Sequence, residues 1–241
     1  MLVFRNEDLD AQRCRPEFVS SMYEDLLWLG LEWQEGPDVG GPFRPYSQSE
    51  RRDFYLNAWK KLRDTGAVYP CGCSRKDLEQ ALSAPHDDAD EIPYPGTCRA
   101  KAWSEKDFPS PSGVSWRFRV PDNWKVSFQD ALQGAKDFIC GKDFSDFLLW
   151  RRDDVPAYQL AYVVDDDAMQ ITEVVRGADL LKSTARQVLI YEALGLPIPK
   201  WAHCDLMTDD RGLRLAKRHD ALSLRTLRAS GLSRAEVVEK F

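Results

Sequence analysis

The sequence has no long hydrophobic segment and no excess of a single residue type. Among its 241 residues, no uninterrupted apolar run approaches the roughly 20 residues that a membrane-spanning helix needs. The apolar start of the chain meets a charge at Arg5, so it contains no signal-peptide core. Glycine and proline, with 14 of each, are too few for a collagen-like chain, and we find no repeat or low-complexity tract. These absences predict a soluble cytoplasmic protein with no membrane partner.

A strong net charge is also missing. The formal charge of -6 argues against a surface coated in basic residues. A local basic stripe can still bind nucleic acid within a net-negative molecule, so the net charge does not exclude an RNA partner. The composition, 43% hydrophobic with eight tryptophans, is that of a globular chain with a substantial core.

Helical and strand-like patterns alternate at both ends of the chain. Apolar residues recur at helical spacing from Pro16 to Gly30, and residues 2–4, 147–150, 160–164 and 171–175 have strand-like patterns. The middle of the chain has short predicted strands among loops rich in proline and glycine. We therefore expect an α/β fold, in which residues 1–68 and 147–241 form a parallel sheet with flanking helices and residues 69–146 form an inserted subdomain.

Three of the six cysteines lie close together within this predicted insert. Cys71 and Cys73 flank a glycine turn, where two thiolates can face one ion, and Cys98 could close the site from a second loop. Tetrahedral zinc needs a fourth ligand: His86 would complete the familiar set of three cysteines and one histidine, and Tyr94 lies four residues before Cys98. The alternatives are three ordinary buried thiols and a solvated loop histidine.

Two clusters of charged residues follow predicted strands, where open α/β sheets bind their ligands. In the first, residues 5–10, Glu7 could hold an amine and Arg5 a carboxylate or phosphate, although a solvated loop is the more common explanation. In the second, Arg176 ends a strand before a glycine, and we pair it with Tyr158, for which a core aromatic is the alternative. The acidic run 165–167 is interpreted as a solvated turn.

A basic segment follows a glycine turn near the end of the chain. Residues 211–219 contain five cationic or potentially cationic side chains, a composition that suits phosphate binding. Lys217 is a mobile point charge that could neutralise a leaving pyrophosphate. A solvated basic loop is the alternative.

Taken in order, these segments resemble the catalytic core of the glutamyl-tRNA synthetase group of class I synthetases. The resemblance runs through essentially the whole chain and is carried by the cysteine set and by residues 5–10 (RNEDLD), 157–166 (AYQLAYVVDD), 174–181 (VVRGADLL) and 214–224 (RLAKRHDALSL). A full synthetase has a large anticodon-binding domain after the last of these segments, whereas only a short stretch follows here. The likeness is therefore greater to the branch that transfers glutamate to queuosine in tRNA(Asp).

The resemblance implies a Rossmann-like catalytic core with an inserted zinc-binding subdomain of the acceptor-binding type. It implies ATP, L-glutamate and tRNA(Asp) as substrates, with Mg²⁺ accompanying ATP and a structural Zn²⁺. Tyr94 replaces His86 as the expected fourth zinc ligand. The implied site residues are Glu7, Tyr158 and Arg176 for glutamate, Lys217 for ATP and catalysis, and Cys71, Cys73, Tyr94 and Cys98 for zinc.

The chain departs from the family pattern at its start and at one position of the basic segment. Family members carry a strand and a HIGH-type signature ahead of the segment that corresponds to residues 5–10, and Ala216 replaces the usual small hydroxyl residue of the KMSKS loop. We expect an enzyme of the glutamyl-queuosine type whose sequence begins at an internal methionine or at a truncation. The alternatives are a truncated, non-catalytic tRNA-binding relative and a fragment of a glutamyl-tRNA synthetase that charges tRNA(Glu).

Overall fold

The computed structural model describes residues 1–10, 14–74, 77, 94–207 and 223–240. The helices in these ranges are α1 (Pro16–Leu29), α2 (Arg52–Asp64), α3 (Tyr158–Ala168), α4 (Leu181–Leu194), α5 (Leu224–Ala229) and α6 (Arg234–Lys240). The strands are β1 (Val68–Cys71), β2 (Ser115–Phe118), β3 (Lys125–Asp130), β4 (Gly134–Ile139), β5 (Leu148–Trp150), β6 (Glu173–Gly177) and β7 (Lys200–Cys204). The chain divides into two compact units, Met1–Glu50 with Asp205–Phe241 and Arg51–Cys204.

The first unit is built on α1 and the loops that follow it. Helix α1 begins at Pro16 and ends at Gly30, whose φ of 83° is the left-handed conformation that terminates a helix. This helix confirms the sequence prediction. The predicted strand at residues 2–4 is wrong, because the segment makes only isolated parallel bridges, Val3 with Glu35 and then Asn6 with Ser47.

Aromatic rings pack together in this first unit. The ring centroid of Phe4 lies 4.7 Å from that of Trp33 and 5.4 Å from that of Tyr23. Nearby, the buried Tyr46 hydroxyl donates to Glu35 Oε2 over 2.5 Å. These contacts hold the first residues of the chain against the loop that leads from α1.

The second unit contains two sheets. Strands β1, β2 and β5 form an antiparallel sheet in the order β1-β2-β5. The other sheet has the order β4-β3-β7-β6 and is mixed, because β3 and β4 are antiparallel while β7 pairs in parallel with both β3 and β6. Helix α4 connects β6 to β7, as a parallel connection requires. The α/β prediction is confirmed, but the sheet is mixed rather than wholly parallel.

Helices α2, α3 and α4 belong to this second unit. The prediction of a strand at residues 160–164 is wrong, because these residues lie in the middle of α3. Their apolar side chains are buried, and a short buried apolar run does not distinguish a helix from a strand. The predicted strand at 147–150 is confirmed as β5, and Gly195, in the left-handed conformation, ends α4.

The strands of the predicted insert are not confined to one sheet. Strand β3, from that stretch, lies beside β7, from the predicted core. The boundaries proposed at 68/69 and 146/147 stay a prediction. None of the helices in the described ranges is both long and apolar enough to cross a membrane.

Candidate functional site

The parallel strands of the mixed sheet bring three polar side chains to their carboxyl ends. Arg176 on β6 is in register with His203 on β7, and Asp130 at the end of β3 is in register with Trp201 on β7. Neighbouring parallel strands end at the same edge, which is where open α/β sheets bind ligands. The predicted position of Arg176 at this edge is confirmed.

The side chains of Thr184, Gln187 and His203 surround the Arg176 guanidinium. Its Nη2 donates to Thr184 Oγ1 over 2.6 Å and to Gln187 Oε1 over 2.7 Å, and its Nε donates to His203 Nε2 over 3.2 Å. The buried Thr184 and Gln187 lie on α4. Within the described parts of the chain, Arg176 makes no ion pair with a carboxylate, so its charge can attract an anion.

The structure brings Tyr158 to the same guanidinium. Tyr158 is the first residue of α3, and its hydroxyl accepts from Arg176 Nη1 over 3.4 Å. One turn later, the ring of Tyr162 lies 5.0 Å from the guanidinium carbon. Two tyrosines of α3 therefore contact Arg176, and a hydroxyl donor and a cation could together hold a carboxylate there.

Behind Arg176, a buried carboxylate holds the imidazole of His203. Asp130 Oδ2 lies 2.5 Å from His203 Nδ1, and Oδ1 accepts backbone N–H groups from Leu132, Gln133 and His203. Burial raises the pKa of Asp130, but the hydrogen bonds from His203 and from these backbone groups outweigh burial and lower the pKa from 3.8 to about 2. Asp130 is therefore a carboxylate at neutral pH.

The other predicted glutamate contact, Glu7, lies in the first unit. Its Oε1 is 3.3 Å from Arg5 Nη2, and its side chain is 40% exposed. The neighbouring Asp8 accepts from both the backbone N–H and the hydroxyl of Ser49, over 2.9 and 2.7 Å. These bonds hold the backbone on which the exposed Glu7 carboxylate is displayed.

The predicted metal cluster is assembled in the second unit. The Sγ atoms of Cys71, Cys73 and Cys98 all lie within 4.8 Å of one another. A tetrahedral zinc ion, with bonds of about 2.3 Å to sulfur and about 2.0 Å to oxygen, separates two sulfurs by about 3.8 Å and a sulfur from an oxygen by about 3.5 Å. Cys73 and Cys98 have a sulfur separation of 3.6 Å, and Tyr94 Oη lies 3.5 Å from Cys71 Sγ. These four residues fit a tetrahedral ion.

The surroundings of Tyr94 orient its oxygen toward the sulfurs. The backbone N–H of Cys98 donates to Tyr94 Oη over 2.7 Å, and the guanidinium carbon of Arg117 lies 3.9 Å from the centre of the ring. Burial raises the pKa of Tyr94. Burial and the hydrogen bond with Cys98 together raise the pKa of Cys73 to about 11. For Cys98, hydrogen bonds from Gly72, Tyr94 and Cys73 outweigh burial and lower the pKa to about 7.

Two predicted residues lie outside the described residues. They are His86, the alternative zinc ligand, and Lys217 of the basic segment. The choice between Tyr94 and His86 as the fourth ligand and the role assigned to Lys217 therefore both stay predictions.

The structure corrects the interpretation of the acidic run on α3. Asp165 and Asp166 are buried rather than solvated. Asp165 Oδ1 lies 2.6 Å from Arg51 Nε, and Asp166 Oδ2 accepts from the Tyr191 hydroxyl over 3.0 Å. Sequence reasoning also missed Asp130 and the residues of α4 that contact Arg176. The scarcity of histidine, with three in the chain, is the one signal that could have drawn attention to His203.

Residues 1–241 match the family model of the class I tRNA synthetases (E and Q), catalytic domain. The chain belongs to this family. The aminoacyl-tRNA synthetase assignment made from the sequence is thus confirmed, and with it the class of ligases.

Relatives of this class I synthetase chain include two kinds of enzyme. It is 47% identical over 239 residues to the glutamyl-Q tRNA(Asp) synthetase of Symbiobacterium thermophilum, covering 98% of this chain and 73% of that protein. It is 40% identical over 231 residues to the glutamate--tRNA ligase of Sulfurihydrogenibium sp., covering 95% of this chain and 48% of the ligase. A solved glutamate-tRNA synthetase from Elizabethkingia anophelis superimposes with a TM-score of 0.77 at 30% identity, covering 90% of this chain and 46% of that one. The chain thus spans about half of the ligase and of the solved structure.

Proposed function

We propose that the chain activates L-glutamate with ATP and transfers it to queuosine in the anticodon of tRNA(Asp). The observation that carries this proposal is the 47% identity to a glutamyl-Q tRNA(Asp) synthetase, which extends over 98% of the chain and 73% of that relative. The match to the glutamate--tRNA ligase has lower identity and covers less than half of the ligase. Identity and coverage therefore both favour the queuosine substrate.

In the proposed first step, an oxygen of the glutamate α-carboxylate attacks the α-phosphorus of ATP. The bond to the β-phosphate oxygen breaks, pyrophosphate leaves, and glutamyl-adenylate forms. Mg²⁺ bound together with ATP would neutralise phosphate charge. Lys217 is proposed to contact the phosphates and to stabilise the charge that develops on the leaving pyrophosphate.

In the proposed second step, a hydroxyl oxygen of the queuosine cyclopentenediol attacks the glutamyl carbonyl carbon. The new ester bond replaces the bond to phosphate, AMP leaves, and the hydroxyl proton is released. The tRNA is therefore modified within its anticodon, in contrast to charging at the 3′-terminal ribose.

Arg176 and Tyr158 are proposed to bind a carboxylate of glutamate. What supports this is a cation that makes no ion pair with a carboxylate in the described chain, beside a tyrosine hydroxyl at the carboxyl edge of the sheet. Glu7 is proposed to accept from the α-amino group, because its carboxylate is exposed and its backbone is held by neighbouring bonds.

We further propose that Cys71, Cys73, Tyr94 and Cys98 hold a structural Zn²⁺. The separations of the sulfurs and the phenol oxygen support tetrahedral coordination, and thiolates are ligands that zinc prefers. With four protein ligands, no coordination position is left for substrate. The ion would therefore link the β1 turn to the loop that carries Tyr94 and Cys98, without taking part in the reaction.

The decisive experiment measures transfer of radiolabelled glutamate to three purified tRNAs. They are tRNA(Asp) that contains queuosine, the same tRNA(Asp) with guanosine at that position, and tRNA(Glu). We expect ATP-dependent labelling of the first alone. Labelling of tRNA(Glu) instead would support the second candidate function, that of a glutamate--tRNA ligase. This candidate is considered because the chain is similar to such a ligase and to a solved glutamate-tRNA synthetase. Labelling of none of them would contradict both candidates.

A further inference from the structure

Two of the three nitrogens of Arg176 are already occupied within the protein. A guanidinium has five N–H groups, one on Nε and two on each terminal nitrogen. Here Nε donates to His203, and Nη2 donates to Thr184 and Gln187. The remaining nitrogen, Nη1, has two N–H groups and donates one of them to the Tyr158 hydroxyl over 3.4 Å. A bound carboxylate can therefore meet the guanidinium through Nη1.

The contact with Arg176 determines which nitrogen of His203 carries a proton. Two groups contact His203 Nε2, Thr184 Oγ1 at 2.9 Å and Arg176 Nε at 3.2 Å. The Thr184 hydroxyl can donate or accept, but an arginine N–H only donates, so His203 Nε2 accepts and the proton of the neutral ring lies on Nδ1. From Nδ1 it points to Asp130 Oδ2, 2.5 Å away. Both side chains are completely inaccessible to solvent, so no water competes for this bond.

Asp130 is itself held in place by backbone donors. Its Oδ1 accepts from Leu132, Gln133 and His203 N–H groups over 2.8 to 3.1 Å. These three bonds fix the plane of the carboxylate and leave Oδ2 for the imidazole. The chain of contacts therefore runs from the turn after β3, through Asp130 and His203, to the guanidinium.

We propose that Asp130 and His203 are positioning residues for substrate recognition by Arg176. Asp130 fixes the His203 tautomer that carries its proton on Nδ1, and His203 Nε2 then orients the guanidinium so that Nη1, beside Tyr158, contacts the carboxylate of glutamate. The identification of the ligand as glutamate rests on the proposed function, whereas the tautomer of His203 does not. No proton is transferred along the chain of contacts.

Asp130→Asn tests this arrangement with minimal change in shape. The amide oxygen can still accept the three backbone N–H groups, which fixes the amide nitrogen at the position of Oδ2. His203 Nδ1 must then accept, so the proton moves to Nε2 and points at the N–H of Arg176. We expect the KM for glutamate in ATP–pyrophosphate exchange to rise on the order of 10- to 100-fold, with little change in the KM for ATP.

The second readout is the tautomer itself, observed by ¹⁵N NMR of the imidazole nitrogens. The three histidines of the chain are assigned with single His→Gln variants. We expect His203 to carry its proton on Nδ1 in the wild-type chain and on Nε2 in Asp130→Asn. Loss of packing alone would not move the proton from one nitrogen to the other.

Two substitutions of His203 separate its two hydrogen bonds. The amide of His203→Gln can reach the position of Nε2 and accept from Arg176, whereas the shorter amide of His203→Asn reaches only the position of Nδ1. We expect Gln to preserve the KM for glutamate better than Asn. Tyr191→Phe is the control, because it removes a buried hydrogen bond from the same helix α4 without contacting Arg176.

The results separate this proposal from the proposed function. A wild-type His203 protonated on Nε2, or an Asp130→Asn variant with the wild-type tautomer and glutamate KM, would overturn the positioning role. Absence of glutamate-dependent exchange from the wild-type chain would contradict the proposed function, and the NMR spectra would still support or refute the Asp130–His203 link. Equal glutamate KM values for His203→Gln and His203→Asn would also count against the role of Nε2.

Discussion

Replacement of Asp165 by asparagine is expected to destabilise the unit formed by residues 51–204 by about 3–5 kcal/mol. The Arg51 and Asp165 side chains are completely buried, and Arg51 Nε lies 2.6 Å from Asp165 Oδ1. The hydroxyl of Tyr55 also lies 3.0 Å from each carboxylate oxygen. Removal of the carboxylate charge leaves a buried guanidinium opposite a neutral amide. Because whole domains are stable by only about 5–15 kcal/mol, the loss is a large fraction of the total.

Urea unfolding, followed by tryptophan fluorescence, measures this loss. With a slope of about 2 kcal/mol per molar urea, the midpoint should fall by about 1.5–2.5 M. Asp167→Asn is the matched control from the same acidic run, and we expect a change within about 0.5 kcal/mol, because this side chain makes no ion pair within the described residues. The double variant Arg51→Met, Asp165→Leu should recover most of the stability, because it removes both buried charges together. A loss below about 1 kcal/mol for Asp165→Asn, the range of an exposed ion pair, would refute the reasoning.

Three further predictions concern the metal cluster and the Arg176 network. Cys98→Ser is expected to abolish stoichiometric zinc binding and Tyr94→Phe to weaken it, whereas His86→Gln should bind zinc like the wild-type chain. Elemental analysis at limiting zinc measures the zinc content of all three variants. Full zinc occupancy in Cys98→Ser would contradict the site. Arg176→Lys keeps the charge but loses the planar fork, so the KM for glutamate in pyrophosphate exchange should rise at least about tenfold; an unchanged KM would exclude Arg176 from binding. Because the pKa of Asp130 is lowered from 3.8 to about 2, its ionised form stabilises the fold above about pH 4, and this contribution is lost as the pH falls through 2. Urea midpoints measured from pH 5 to pH 2 should therefore fall less steeply for Asp130→Asn, and parallel curves would contradict the shift.

The sequence was most informative where neighbouring residues carry the signal. Cys71, Cys73 and Cys98 were grouped by spacing, and the structure gathers their sulfurs. Arg176 was expected at a strand end because an apolar run stops there before a glycine, and β6 ends at that glycine. In both cases a local pattern determines the arrangement, either a turn between ligands or the end of a strand.

The predictions failed where the deciding partner is distant in the sequence. The acidic run was interpreted as a solvated turn, yet Asp165 pairs with Arg51, which lies 114 residues earlier. The strand assigned to residues 160–164 failed for a related reason. Helix α3 buries residues on several sides, so its sequence lacks the one-sided periodicity that distinguishes an amphipathic helix.

Asp130 and His203 were missed because their significance depends on sheet order. The two residues are separated by 73 positions and meet because β3 and β7 lie side by side. Neither residue lies in a motif, and an isolated histidine in an apolar strand is usually a core residue with satisfied hydrogen bonds. The strand order is therefore the information that the sequence pattern lacked.

Because β3 lies beside β7, the stretch predicted as an insert contributes a residue to the hydrogen-bond network of Arg176. Asp130 comes from the stretch predicted as an insert, whereas Arg176 and His203 come from the stretch predicted as the core. If Asp130 fixes the tautomer of His203, the supposed insert supplies part of the support for the substrate-binding arginine. Its removal would then affect glutamate recognition directly, even if the remaining strands stayed folded. A chimaera that exchanges this stretch should consequently preserve the turn after β3, where the backbone N–H groups of Leu132 and Gln133 hold the Asp130 carboxylate.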